Sequence, residues 1–373
     1  MHITPFGVEI WMNAWETRCT HNLAETCVAS VTIAELLALA GRNDSDLSEL
    51  LDLRMTYGAI EGSDRLRQAV ARLYARQAPG NILITHGTIG ANMLVHRTLV
   101  SPGDRVIAIT PTYQQHTAIP ASLGADLLTL PLQEADGWLP DLDRLAALAD
   151  GGVKLIALTN PNNPTGALIP RAGLERIAEI ARRHDAWVLC DEVYRGTDQD
   201  GSGISASMAD LYEKGISTAS TSKAFSLAGL RLGWIAAPSP LLEQVMIHRD
   251  YDTISVGQID DHFATIALEN APALLARSQH ITRTNLALLA EWVAQEPRIS
   301  WVRPASGTTA LLRYDLPMRS EELCRALLEE TGVLLTPGGV MGAEGCLRIG
   351  FANRTEDLRE GLPLISGFFT ARR

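Results

Sequence analysis

Short apolar runs alternate with helical periodicities over much of this chain. Ile82 to Ile84, Val106 to Ile109, Lys154 to Leu158, Trp187 to Cys190 and Trp234 to Ala237 are apolar at nearly every successive position. Strands covered by helices on both faces carry that signature. Between them, Arg171 to Asp185 brings Leu174, Ile177, Ile180 and Ala181 to one helical face. Such alternation predicts an α/β fold with a mostly parallel sheet, wrapped by helices. After about residue 275 the pattern changes. A helix is predicted from Thr282 to Glu296, alternating segments at Ser300 to Val302 and Thr309 to Arg313, and a helix from Ser320. Short strands follow at Val333 to Leu335 and Cys346 to Phe351, then a last helix from Glu356. The expected organisation is a large domain over residues 46–275. A smaller α+β domain would be built from residues 1–45 and 276–373.

Composition narrows the setting. Apolar residues make up 46 % of the 373 positions and charged residues 20 %, enough for a sizeable core. Lysines and arginines number 32 against 43 acidic residues, a formal charge of −11, which disfavours a nucleic-acid partner. No apolar run nears the roughly 18 residues of a membrane helix. The opening residues Met1 to Gly7 lack the basic and apolar regions of a signal peptide. The five cysteines form no CxxC pair, so neither a zinc site nor a dithiol is expected. These features predict a cytoplasmic protein with no metal and no membrane partner.

In a doubly wound sheet, ligands bind beyond the carboxyl ends of the strands. Polar residues gather there: Gly87-Thr88-Ile89 opening a helix, Tyr113, Asn163 in a proline-rich loop, Asp191 with Tyr194, and Ser220-Thr221-Ser222-Lys223. The inventory comprises an anion-binding helix start, an aromatic plate, a carboxamide, a carboxylate, and an amine beside hydroxyls. One ligand would use all of them, pyridoxal 5′-phosphate (PLP). Lys223 would be the Schiff-base lysine, or else a solvated surface lysine. Ser220-x-x-Lys223 also matches a serine-acylase motif, but the other elements of that motif are missing. Arg231, between Gly229 and Gly233, could clamp a phosphate. Asp191 could pair with a pyridinium nitrogen or simply cap a helix. Arg348, in an apolar run, needs an anionic partner: a substrate carboxylate or an internal salt bridge.

Taken together, Tyr57-(x)4-Gly62-(x)3-Leu66-Arg67, Asn163-Pro164-Thr165-Gly166, Asp191-Glu192-Val193-Tyr194, Ser220-x-Ser222-Lys223-(x)5-Gly229-x-Arg231-x-Gly233 and Leu347 to Ala352 resemble the class I/II aminotransferases, the fold-type-I PLP enzymes. The resemblance implies a seven-stranded large-domain sheet, and it implies roles for individual residues. Lys223 would bond to the cofactor and shuttle the α-proton. Asp191 would pair with the pyridine nitrogen, Asn163 and Tyr194 would reach the phenolate oxygen, and Tyr113 would stack on the ring. Gly87, Thr88, Ile89, Ser220, Ser222 and Arg231 would hold the phosphate, and Arg348 the substrate α-carboxylate. Tyr57 would come from a second subunit, implying a homodimer.

Thr85-His86-Gly87, Arg249 to Ser255 and Gly332 to Gly342 further resemble the capreomycidine-synthase-like branch, whose members act on guanidino amino acids. Trp11 to Ser30 departs from the usual aminotransferase pattern, and its Glu16 and Glu25 could read a cationic side chain or simply be surface helix charges. Three functions are therefore weighed. They are an aminotransferase, an elimination–cyclisation enzyme for a hydroxylated guanidino amino acid, and a non-catalytic PLP- or amino-acid-binding regulator.

Overall fold

The computed structural model describes residues 2–201 and 203–372. Helix α1 (Gly7–Trp15), strand β1 (His21–Asn22) and helix α2 (Ile33–Leu39) form the N-terminal segment. The large sheet contains β2 (Ile82–Thr85), β3 (Arg105–Thr110), β4 (Asp126–Pro131), β5 (Leu155–Thr159), β6 (Trp187–Asp191), β7 (Gly215–Ser220) and β8 (Gly233–Ala236). Their order is β2-β8-β7-β6-β5-β3-β4. From β7 to β4 every pair is parallel, whereas β8 runs antiparallel to both its neighbours. Strands β2, β5, β7 and β8 are buried at every residue, as their cover of helices requires.

Helix α3 (Gly87–Leu99) follows β2 directly, and α4 (Gln115–Ser122) follows β3 after a short turn. Helix α5 (Arg171–Arg183) buries Leu174, Ile177, Ala178, Ile180 and Ala181, the face its periodicity predicts. The long helix α6 (Ala271–Gln295) begins eleven residues before the predicted Thr282, because Pro272 sits in its first turn, where proline costs no hydrogen bond.

The C-terminal part is a four-stranded antiparallel sheet of β9 (Ile299–Trp301), β10 (Thr309–Tyr314), β12 (Thr336–Pro337) and β13 (Cys346–Gly350), flanked by β11 (Val333–Leu334), which pairs with β1. Helices α7 (Ser320–Thr331) and α8 (Thr355–Thr370) cover it.

Packing divides the N-terminal segment differently from the sequence expectation for residues 1–45. Trp11, Leu23 and Ala24 join the C-terminal core, but Leu36 and Leu37 of α2 join the core beneath β2 and β8. Near position 275 the chain crosses between cores inside one helix. Leu274 and Leu275 pack with the large sheet, and Leu286 and Leu289 with the small one. The N-terminal segment therefore spans both units and passes over the carboxyl ends of the large sheet.

Candidate active site

A cavity of about 270 Å³ lies at those strand ends. Of the residues singled out from sequence, all line it except Gly87, which lies beneath Arg231, and Tyr57, which is 74 % exposed.

At one end is the turn from β2 into α3. Gly87 adopts φ 67°, a region that disfavours side chains. A Cβ added at Gly233 would lie 2.4 Å from the Gly87 carbonyl carbon and 2.7 Å from the Thr88 nitrogen. Glycine there lets β8 press against the helix start. Arg231, in the left-handed region at φ 49°, brings Nη2 against Gly87. The buried Thr88 hydroxyl has no partner. Helix-start N–H groups, a free hydroxyl and a guanidinium make a cup for a phosphate.

Asp191, the last residue of β6, is 3 % exposed. Its Oδ2 accepts from Asn92 Nδ2 at 2.9 Å, and its Oδ1 from the Val193 N–H at 3.1 Å. His116 Nε2 stands 3.9 Å from Oδ2. Behind it, His96 Nε2 meets His116 Nδ1 at 3.3 Å, and both rings are fully buried. Burial, with His116 beside it, holds the His96 imidazole well below its usual pKa, so it is neutral. Asn92 also accepts from Thr218 at 2.7 Å, fixing its amide to point at Asp191. The adjacent Glu192 faces elsewhere: Ser207, Ser217 and the Met208 N–H all donate to it, a structural role. A buried carboxylate whose hydrogen-bond donors are a neutral amide and a backbone N–H is costly unless a cation reaches it.

Arg348, on β13, is the opposite case. It is 3 % exposed, and it donates to Asn163 Oδ1 at 3.3 Å, the Ala24 carbonyl at 3.3 Å and Thr336 Oγ1 at 3.1 Å, all neutral. Its Nε has no partner. Burial depresses its pKa, although the facing Tyr194, Tyr113, Glu25 and Glu9 oppose that. An anion would complete it.

Lys223 follows β7. Burial alone would lower its pKa, but Cys27, Tyr194 and Glu25 around the amine outweigh that and raise it above the usual lysine value. The ring of Tyr113 is held by its hydroxyl, which donates to Glu9 Oε1 at 2.8 Å, and by Phe6 with ring centroids 4.8 Å apart. Gly7 N–H donates to Gln114 Oε1 at 2.9 Å and Trp11 Nε1 to the Leu335 carbonyl at 2.9 Å, so α1 is pinned over the cavity by both units. Glu9 on α1 and Glu16 just past its last residue line the cavity with Met12 between them.

Sequence reasoning missed Asn92, His96, His116 and Glu9. Nothing in the hydropathy pattern marks them, since polar positions on helices ordinarily face solvent.

A family model for aminotransferase class I and II matches residues 43–362. The chain belongs to that family. It is 32 % identical to capreomycidine synthase of Streptomyces vinaceus, over 96 % of this chain and 92 % of the relative. It is 29 % identical to the arginine–pyruvate transaminase of Pseudomonas aeruginosa, over 84 % of this chain and 82 % of that one. The crystal structure of a PLP-dependent aminotransferase from Streptococcus suis superposes with a TM-score of 0.97 at 40 % identity, covering 100 % of this chain and 99 % of the other. The fold is that of the fold-type-I PLP enzymes, and the protein is a PLP-dependent enzyme of the class I/II family.

The cavity fits the cofactor on its own evidence. An unmatched carboxylate suits a ring cation, the Thr88–Arg231 cup suits a phosphate, and a lysine amine lies between them. Among the described residues no helix is long and apolar enough to cross a membrane, and no three His, Cys, Asp or Glu side chains are grouped to hold a metal.

Proposed function

We propose that the enzyme acts at the α-carbon of an amino acid with a positively charged side chain, by transamination. The observation that carries this reading is Arg348, buried with only neutral hydrogen-bond partners in the cavity that also holds Lys223, Asp191 and the Glu9 and Glu16 carboxylates. Bound PLP supplies an aldehyde that joins amines covalently and a protonated pyridine that draws electrons from the α-carbon. The protein's part is to hold and to time. Arg348 would grip the α-carboxylate, Lys223 would carry the cofactor and move the α-proton, and Asp191 would keep the ring nitrogen protonated. Asn163 and Tyr194 would bind the phenolate oxygen, Tyr113 would cover the ring, and Thr88, Ile89, Ser220, Ser222 and Arg231 would hold the phosphate. Glu9 and Glu16 attract the distal cation; Glu25 is partly committed, because its Oε1 accepts two backbone N–H groups. Two of the similar proteins bear on the side chain: one is named for arginine as a substrate, the other as capreomycidine synthase. That second likeness supports a further reading, elimination and ring closure on a hydroxylated guanidino amino acid.

A homodimer in the cytoplasm is part of the proposal. Met55 and Tyr57 are strongly exposed, and Gln258 Nε2 donates to the Arg54 and Thr56 carbonyls on either side of Met55, tying that segment to the helix that carries the exposed Ile259. An apolar face of this kind suits a second copy, with Tyr57 entering the neighbouring site.

A mass-resolved screen of the PLP-loaded protein against the twenty amino acids and hydroxyarginines, with and without a 2-oxo acid, tests the reading. Consumption of arginine or lysine that depends on the 2-oxo acid supports transamination. Water loss without one supports cyclisation, and indifference to side-chain charge rejects the cationic substrate. Arg348→Ala is expected to raise KM for all substrates alike, whereas Glu9→Gln and Glu16→Gln raise it only for cationic ones, by about two- to fivefold each. Arg231→Ala is expected to lose PLP on dialysis while the apoprotein keeps its melting temperature.

A further inference from the structure

The N-terminal segment reaches into the site at the amine itself. Lys223 Nζ donates to Thr26 Oγ1 at 2.7 Å and to Cys27 Sγ at 3.3 Å. Both residues are 8 % exposed. Tyr194 lines the same cavity as Thr26 and Lys223. This corner is braced. The Thr26 and Cys27 N–H groups each donate to Glu25 Oε1 at 2.7 Å, and the Thr308 hydroxyl donates to the Thr26 carbonyl at 2.7 Å. The Val28 N–H donates to the Lys223 carbonyl at 3.4 Å, and the Ala29 N–H to Ala352 at 2.9 Å. The hydroxyl and the thiol are therefore fixed points, while the lysine is a flexible four-carbon stem.

We propose that Thr26 and Cys27 are positioning residues for the proton-carrying amine, holding Lys223 Nζ whenever it is not bonded to the cofactor. The inference rests on the function proposed above. An amine freed from a covalent bond has many rotamers, and a base must approach the α-carbon along one line. Two acceptors at set distances select one rotamer. The proton then passes from the substrate's α-carbon to the lysine nitrogen and back to the substrate. The hydroxyl and thiol accept hydrogen bonds from the amine throughout and are unchanged at the end. Nothing is oxidised or reduced.

The test compares Thr26→Val, Thr26→Ser and the unaltered enzyme loaded with PLP. Thr26→Val is expected to lower kcat by roughly tenfold to a hundredfold with KM little changed. The primary isotope effect with an α-deuterated substrate should rise, and Thr26→Ser should restore most of the rate. A residue that only stabilised the fold would shift the melting temperature and leave the isotope effect alone.

A second readout needs no turnover. In the cofactor-free protein, alkylation of Cys27 by iodoacetamide, located by peptide mass spectrometry across pH, should be slower in Lys223→Gln, because a neighbouring ammonium favours the thiolate. Cys19, Cys190, Cys324 and Cys346 should be unaffected. An unchanged isotope effect and kcat in Thr26→Val, or equal Cys27 alkylation with and without Lys223, overturns the proposal. If Thr26→Val does not fold, the alkylation comparison decides alone. Borohydride reduction with PLP separates the two levels. Failure to label Lys223 removes the function itself, whereas labelled Lys223 with an unaffected Thr26→Val enzyme removes only the role of Thr26 and Cys27.

Discussion

Lys223→Ala is expected to abolish the visible absorbance of protein-bound PLP and to lower turnover on the order of 10⁴-fold or more, since covalent and proton-transfer catalysis are lost together. The amine is the point where the two halves of the chain converge: β7 delivers it from the large sheet, and Thr26 and Cys27 meet it from the N-terminal segment. Truncation to a methyl leaves the Thr26 hydroxyl, the Cys27 thiol and the Tyr194 phenol without the charge they surround. A small added primary amine should return part of the rate, because the space it needs is already lined by those acceptors. Phosphate retention should fall less, because Arg231 and the start of α3 are untouched. Absorbance spectra after dialysis and steady-state rates with and without the amine check this. A variant that kept both the visible band and turnover would remove Lys223 from the chemistry.

Much of the architecture was legible because the central strands obey a simple rule. Strands β2, β3, β5, β6 and β8 are apolar in succession, and burial on both faces leaves few alternatives. Strand β7 breaks the rule. It reads Gly-Ile-Ser-Thr-Ala-Ser, yet every residue is buried. Its hydroxyls are satisfied laterally: Ser217 donates to Glu192 and Thr218 to Asn92, so burial costs no hydrogen bond. Hydropathy cannot register that. Edge strand β4 is missed for the reverse reason, since its residues are mostly exposed or half-buried. The site residues on strand ends were readable because topology puts them there. Asn92, His96 and His116 were not, since a polar residue on a helix is ordinarily a solvent-facing one. Here α3 and α4 turn those positions inward, toward Asp191.

Asp191→Asn isolates charge from shape. The carboxamide can occupy the same volume, although its single oxygen keeps only one of the two bonds, from Asn92 Nδ2 or from the Val193 N–H, that the two native carboxylate oxygens accept. It cannot hold a proton on a ring nitrogen. A group that stabilises charge as it develops, in a water-excluded site, is worth roughly 10²–10³-fold in rate, and kcat should fall by about that much. Binding of PLP should weaken less, because the phosphate cup and Lys223 remain. A cofactor analogue methylated on the ring nitrogen carries the positive charge permanently, so it should restore turnover to Asp191→Asn while gaining nothing in the unaltered enzyme. His116 and His96 sharpen the test. Their imidazoles lie behind the carboxylate and are not positioned to replace it, so the rate lost in Asp191→Asn should not be recovered through them. If Asp191→Asn turns over at the native rate with ordinary PLP, the buried carboxylate serves only to pin Asn92, and the electron sink must be held by another group.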